Sequence, residues 1–154
     1  MRNKSILFVT TFDFVEKGIQ VVKKTPVHFA QNGWNVHYLV TRDTSKKGSY
    51  YYEKIDSPEN IIIYRYPTPH LEFMDKISSK VLFTIYSKLR SYINIFQLTF
   101  YTIKITIKNP EIKLLYGCGP TATLSLQLTR LVLFWKRFNL VSRFYGITNT
   151  EQLI

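Results

Sequence analysis

Two glycines follow a short apolar run in the second half of the chain. Gly117 and Gly119 come directly after Ile112–Tyr116, and Thr121 follows them at the expected start of a helix. In open parallel sheets, ligands bind beyond the carboxyl ends of the strands, so a turn of this kind can face a substrate. We therefore take Gly117, Gly119 and Thr121 as candidate substrate-binding residues. A tight turn without a ligand is an equally good interpretation.

The same turn matches the glycine spacing of a dinucleotide-binding fingerprint. That motif normally follows the first strand and needs an acidic residue about 20 positions later, to hold the ribose. Here the turn follows the fourth expected strand, and no Asp or Glu occurs between Glu111 and Glu151. We expect no nicotinamide cofactor, and no other cofactor is indicated.

Charged residues also follow the first apolar run of the chain. The turn Thr11–Gly18 contains Asp13, Glu16 and Lys17, which could contact ligand hydroxyls or phosphates together with Gly18. The alternative, rated equal, is that the two acids only cap the start of a helix.

The last apolar run ends in Arg143 and a turn with Gly146. A guanidinium there could hold a phosphate or carboxylate through two hydrogen bonds. The alternative is an edge arginine whose stem covers apolar surface while its head stays in water.

The remaining reactive side chains predict no metal site and no nucleophile. His28, His37 and His70 lack metal-ligand spacing, and Cys118 has no base beside it. We assign no catalytic residue.

Five apolar runs separated by helices or by a long loop predict an α/β fold. We expect strands over Lys4–Thr11, Val36–Thr41, Ile61–Tyr66, Ile112–Tyr116 and Leu140–Gly146, with helices over Gly18–Asn32, Leu82–Ile107 and from Thr121. Pro26 should kink or restart the first helix. The prediction is one doubly wound, mostly parallel five-stranded Rossmann-like sheet over residues 1–154, in the order 3-2-1-4-5, with helices on both faces. The ligand cleft would lie between strands one and four.

The long middle helix allows two interpretations. Its apolar residues recur every three or four positions, from Leu82 to Ile107, and lysines and arginines occupy its other faces. The favoured interpretation is that this stripe packs on the sheet while the cations face water. The alternative is that the basic helix rests on anionic lipid. Tyr101–Lys108 also alternates with period two, but we predict helix there.

Composition limits the class of protein. The chain has 154 residues, a net charge of +11 and one cysteine, so it can build one core, favours anionic partners and has no internal disulfide. We expect no signal peptide, because the first apolar run, Ile6–Val9, is too short for one, and no uncharged run approaches the ~20 residues of a membrane span. We expect a cytoplasmic protein, soluble or peripheral at the inner face of a membrane.

Three passages carry a resemblance to a known family. They are Ala30–Val36, Asn109–Gly117 and Leu140–Gly146, in this order after a first turn with Gly18. Together they resemble the N-terminal, acceptor-side domain of the GT-B glycosyltransferases of the family-4 type. The resemblance implies transfer of a sugar from a nucleotide-sugar donor to a glycan or lipid-linked acceptor. Tyr145 stands where many relatives have a histidine, so Tyr145 joins the candidate substrate-binding residues.

The resemblance also implies a missing half. In this family a C-terminal domain binds the nucleotide sugar, so the chain is expected to be inactive alone. The first alternative is a non-catalytic Rossmann-like protein that binds an anionic or phosphorylated ligand. A basic nucleic-acid-binding domain ranks last, because the sequence holds no recognised nucleic-acid motif.

Overall fold

The computed structural model describes residues 4–11, 20–40, 60–66 and 79–144 of the chain. These ranges contain five strands and three helices. In chain order they are β1 (Ser5–Thr10), α1 (Gln20–Gln31), β2 (Asn35–Val40), β3 (Ile61–Arg65), α2 (Lys80–Lys108), β4 (Ile112–Cys118), α3 (Pro120–Val132) and β5 (Asn139–Arg143).

The five strands form one sheet in the order β3-β2-β1-β4-β5. Every neighbouring pair is parallel. The predicted fold class and strand order are therefore confirmed. Because the chain builds β2 and β3 on one side of β1 and β4 and β5 on the other, the order reverses between β1 and β4.

β1 lies at the centre of the sheet, and all six of its residues are buried. Successive side chains of a strand point to opposite faces. Leu7 and Val9 therefore join the core beneath α2 and α3, while Ile6 and Phe8 join the core beneath α1. Helices cover both faces of the sheet, as predicted.

α1 is a single helix that contains Pro26. The predicted restart at this proline is wrong, since the helix continues without a break from Gln20 to Gln31. Proline removes one backbone hydrogen bond, but the residues after it anchor the helix: Phe29 packs edge-on against Phe8 of β1, with ring centroids 5.7 Å apart. Gly33 ends this region at a φ of 78°, the left-handed conformation that glycine favours.

α2 is helical through Lys108, as predicted, but a different face of the helix is buried from the one that was predicted. The face that packs on the protein consists of Ile95, Leu98, Thr99, Thr102, Ile105 and Thr106. The predicted packing of the apolar stripe on the sheet is wrong, because Phe96 and Phe100 are 68% and 62% exposed. Threonine can replace a large apolar residue on the buried face because its hydroxyl bonds within the helix: Thr99 Oγ1 donates to the Ile95 carbonyl at 2.8 Å.

β4 is longer than predicted and includes Gly117 and Cys118. Gly117 was expected in the turn, but it pairs with Val9 on one side and Ser142 on the other, which keeps it in the sheet. A Cβ at Gly117 would lie 3.1 Å from Leu126 Cδ1 and 3.3 Å from the backbone nitrogen of Thr123. The missing side chain therefore lets α3 approach β4 closely.

A polar pair lies within the core beneath α2. His37 is buried in β2, and its Nδ1 lies 3.1 Å from the Tyr64 hydroxyl, with the two rings stacked. Burial lowers the pKa of His37 below its usual 6.5, an effect that the charge of Glu111 partly opposes. Burial also raises the pKa of Tyr64. Both groups are therefore held neutral in the folded protein at pH 7.

The tight contact at Gly117 predicts a cost for adding one methyl group. Gly117→Ala should lower the free energy of unfolding by about 1–3 kcal/mol, because α3 must move away from β4. Urea denaturation measures this cost. Leu126→Ala should cost less in the Gly117→Ala background than in the wild type, because the added methyl then has more room. If the losses in unfolding free energy of the two variants simply add in the double variant, the close contact between position 117 and Leu126 is contradicted.

The buried histidine predicts a dependence of stability on pH. Because the pKa of His37 is lower in the folded state, the unfolded chain binds more protons below about pH 6.5. The free energy of unfolding should therefore fall as pH drops from about 6.5 towards the lowered pKa. Urea denaturation as a function of pH should show this fall in the wild type and a smaller fall in His37→Gln. His28→Gln, at an exposed position of α1, is the control and should behave as the wild type does.

Candidate functional site

The carboxyl ends of the five strands form one edge of the sheet. The registers place five residues in a row across it, in the order Arg65, Val40, Thr10, Cys118 and Arg143. Neighbouring strands lie about 4.8 Å apart, so the backbones at Thr10 and Arg143 are roughly 10 Å apart. Ligands of open parallel sheets bind at such an edge, beside the reversal of strand order.

Gly119 connects this edge to the start of α3. Its φ of 90° and ψ of 168° form a backbone conformation that is nearly restricted to glycine. Its N–H donates to the Arg143 carbonyl at 2.9 Å, which ties the start of the turn to the end of β5. Gly119 therefore fixes the direction in which α3 leaves the sheet.

The first turn of α3 presents a backbone donor at the same edge. Pro120 has no N–H, and no side chain of the described residues caps the helix start. The Thr123 N–H and Oγ1 both donate to the Gly119 carbonyl, at 3.0 and 2.9 Å. The N–H group of Thr121, a partly exposed residue, precedes the regular helical bonding pattern, whereas Ala122 is fully buried. The positive end of the helix dipole adds to the attraction of the Thr121 N–H for an anion.

Arg143 is the last residue of β5 and is exposed. Its carbonyl accepts the hydrogen bond from the Gly119 N–H. The side chain of Arg143 is therefore attached at the end of β5, next to the N-terminus of α3. Glu111 is the only acidic residue in the ranges that the structure describes, and it comes just before β4 begins, at the opposite edge. The described part of the carboxyl edge is therefore electropositive and suits a phosphate, a carboxylate or polarised sugar hydroxyls.

The structure brings some of the predicted site residues together and leaves others undescribed. Gly119, Thr121 and Arg143 meet at the carboxyl edge, and Gly117 lies one strand position behind them, where its contacts are with Leu126 and Thr123. The remaining candidates all lie outside the described residues: Asp13, Glu16, Lys17, Gly18, Tyr145 and Gly146.

Two residues of the edge were not predicted from the sequence. Thr10 and Arg65 end β1 and β3 and lie in the same row as Arg143. Each lies one residue before the end of a strand whose place in the sheet had been predicted, so their position could have been predicted from the sequence.

The structure assigns no metal centre to the residues it describes. They contain no group of three or more histidine, cysteine or acidic side chains close enough to hold a metal ion. His28 lies on α1 and His37 in the core, whereas His70 lies outside the described ranges. In the same ranges, no helix is both long enough and apolar enough to cross a membrane.

Known proteins do not identify the chain. A scan against protein-family models finds no family that matches it, and a search of curated proteins finds no match. The resemblance to GT-B glycosyltransferases therefore stays a prediction, while the Rossmann-like fold is shown.

The position of Cys118 predicts slow chemistry at its thiol. The residue is 4% exposed in β4, so reagents should reach it only when the sheet opens. In native protein, Ellman's reagent should react at least about 100-fold more slowly than with the urea-unfolded chain. Rapid stoichiometric labelling of the folded protein would contradict this and would revive Cys118 as a nucleophile.

Proposed function

We propose that this chain is the acceptor-binding half of a GT-B glycosyltransferase, which transfers a sugar from a nucleotide sugar to a glycan or lipid-linked acceptor. The observation that supports it is the carboxyl edge of an all-parallel sheet in the order 3-2-1-4-5. At this edge Gly119, the first turn of α3 and Arg143 converge. The three sequence passages that resemble the family support the same assignment.

The edge suits recognition of an acceptor. Acceptors of such enzymes present hydroxyl groups and, when lipid-linked, a phosphate or diphosphate. The Arg143 guanidinium can hold two oxygens of such a phosphate, while the Thr121 N–H at the start of α3 holds another oxygen or a hydroxyl. The attacking hydroxyl would then point away from the sheet, towards a donor held by the second half.

In this proposal, sugar transfer requires two lobes: this chain, which binds the acceptor, and a second lobe, which binds the nucleotide sugar. The acceptor oxygen forms the new bond to the anomeric carbon, and the bond from that carbon to the nucleotide diphosphate breaks. The acceptor proton passes to a base that we do not assign. The described residues of this chain contribute binding and orientation, whose effect on the rate can be large.

Glycan binding tests the proposal directly. The purified chain should bind a subset of saccharides on an array that carries neutral and phosphate-bearing glycans. Arg143→Gln should weaken the binding of a phosphate-bearing hit about tenfold, because one charge-assisted contact is lost. Lys113→Gln removes the same charge from an exposed position near the amino end of β4 and should leave binding unchanged.

Two outcomes would contradict the proposal. One is that no glycan on the array binds, and the other is that the two variants weaken binding equally. The coding sequence just downstream offers an independent check, because a second Rossmann-like half with paired glutamates is expected there or in a neighbouring gene.

A second candidate is a protein that binds an anionic ligand without catalysis. The described part of the carboxyl edge, with Arg143 and the start of α3, favours it, since phosphate recognition there needs no second lobe. Calorimetry with inorganic phosphate and with nucleoside diphosphates separates the two. Tight, Arg143-dependent binding of these ligands, together with no glycan binding, would favour this second candidate.

A further inference from the structure

The outer face of α2 is apolar along most of the helix. We call seven of its exposed large residues the apolar stripe: Leu82, Ile85, Leu89, Ile93, Phe96, Phe100 and Ile107. At 3.6 residues per turn they fall within an arc of about 80° and extend over about 38 Å. Exposed apolar patches of this extent on soluble proteins mark interaction sites.

The layer formed by α2 and α3 carries small hydroxyl residues in part of its buried seam and large apolar residues on its exposed side. The two helices meet through small hydroxyl residues, and Thr99 Oγ1 lies 3.3 Å from the Ser125 carbonyl, to which it donates. Ser125 and Thr129 of α3 are buried, whereas Leu124 and Leu131, on the opposite side of that helix, are 49% and 71% exposed. Large apolar residues therefore lie on the outside of this layer as well as in its core, where Leu98 and Leu126 are buried, and such an outer surface suits an apolar medium.

Cations flank the stripe without any acidic residue on the same helix. α2 contains Lys80, Lys88, Arg90, Lys104 and Lys108 and no Asp or Glu. On the helical wheel, Arg90, Lys104 and Lys108 lie about 60–100° from the centre of the stripe, on one side of it. Across residues 79–144 there are ten lysines and arginines against one acid, Glu111.

We propose that the outer face of α2 binds the surface of an anionic lipid bilayer. The stripe would enter the boundary between headgroups and acyl chains, and the cations beside it would contact lipid phosphates. The helix would lie in the plane of the membrane, which agrees with its being too polar to cross one. This proposal goes beyond acceptor binding and does not depend on it.

Charge argues against a second copy of the chain as the occupant of this face. A symmetric pairing of two stripes would bring the cationic flanks of both copies close together. Glu111 is the only acid in residues 79–144 that could compensate, and repulsion between like charges opposes such a contact. An anionic bilayer supplies the missing negative charge together with the apolar medium.

Vesicle flotation tests the proposal with two kinds of vesicle. The chain should float with vesicles in which about a third of the phosphatidylcholine is replaced by phosphatidylglycerol, and not with phosphatidylcholine alone. Phe96→Ser with Phe100→Ser should lower the partition coefficient at least about tenfold, because two large apolar groups no longer enter the lipid. Val141→Ser, which removes an exposed apolar side chain from β5, should not change it.

A matched pair of charge variants keeps the test independent of folding. Lys104→Gln should weaken flotation about fivefold, and raised salt should weaken it in the wild type, because each cation near the lipid surface contributes attraction. Lys24→Gln, an exposed lysine of α1, should have little effect.

Three results would overturn the proposal. The first is no flotation with either vesicle, and the second is equal flotation with both. The third is a dimer in sedimentation that the double phenylalanine variant dissociates, with no binding to lipid, which would assign the face to a second copy. Loss of glycan binding with flotation intact would reject only the acceptor proposal.

Discussion

β1 must be paired at both of its edges and covered on both of its faces, and the rest of the structure is arranged around this requirement. Its backbone requires a hydrogen-bonded strand on each side, and its continuous apolar run requires a helical layer on each face. β2 and β4 satisfy the first requirement, while α1 and the α2–α3 layer satisfy the second. Because the chain must cross to the far side of β1 to add β4, the strand order reverses there and leaves an open carboxyl edge.

Close approach inside the α2–α3 layer follows from small residues. Gly117 lets α3 lie against β4, and threonines and serines let α2 lie against α3. Most of their hydroxyls donate to helix carbonyls, as Thr106 Oγ1 does to the Thr102 carbonyl at 2.8 Å, and their burial then costs little. The hydroxyl of Thr102 is buried without a hydrogen-bond partner. Small residues occupy part of this seam beside buried Leu98 and Leu126, and further large apolar residues of both helices lie on the outside.

The sequence predicts the sheet well because its signals are local and strong. A short, continuous apolar run such as Ile6–Val9 is typical of a central strand. The order of strands and helices along the chain then allows few topologies for the sheet. The buried face of α2 could not be predicted in this way. Periodicity identifies an apolar stripe but not its partner, and the true buried face, with Thr99, Thr102 and Thr106, has the weaker apolar signal.

The same limit applies to the candidate site. Glycines in a turn after a strand indicate a ligand edge, which is where Gly119 and Thr121 lie, but they cannot show which glycine serves packing. That distinction depends on contacts between distant parts of the chain, here Gly117 with Leu126. Arg143 was predicted from its position alone, because the last residue of a strand needs only the strand order to be located.

The length and direction of α2 connect the two proposals. The helix ends at Lys108, just before β4 begins, so it runs antiparallel to the strands, with its start towards the carboxyl edge. Its 29 residues span about 43 Å, roughly twice the length of β1, and none of its described side chains before Ile95 is buried. The first half of the stripe therefore extends beyond the edge where Gly119 and Arg143 lie. A bilayer bound to this half would hold a lipid-linked acceptor on the same side of the sheet as the site that must receive its phosphate.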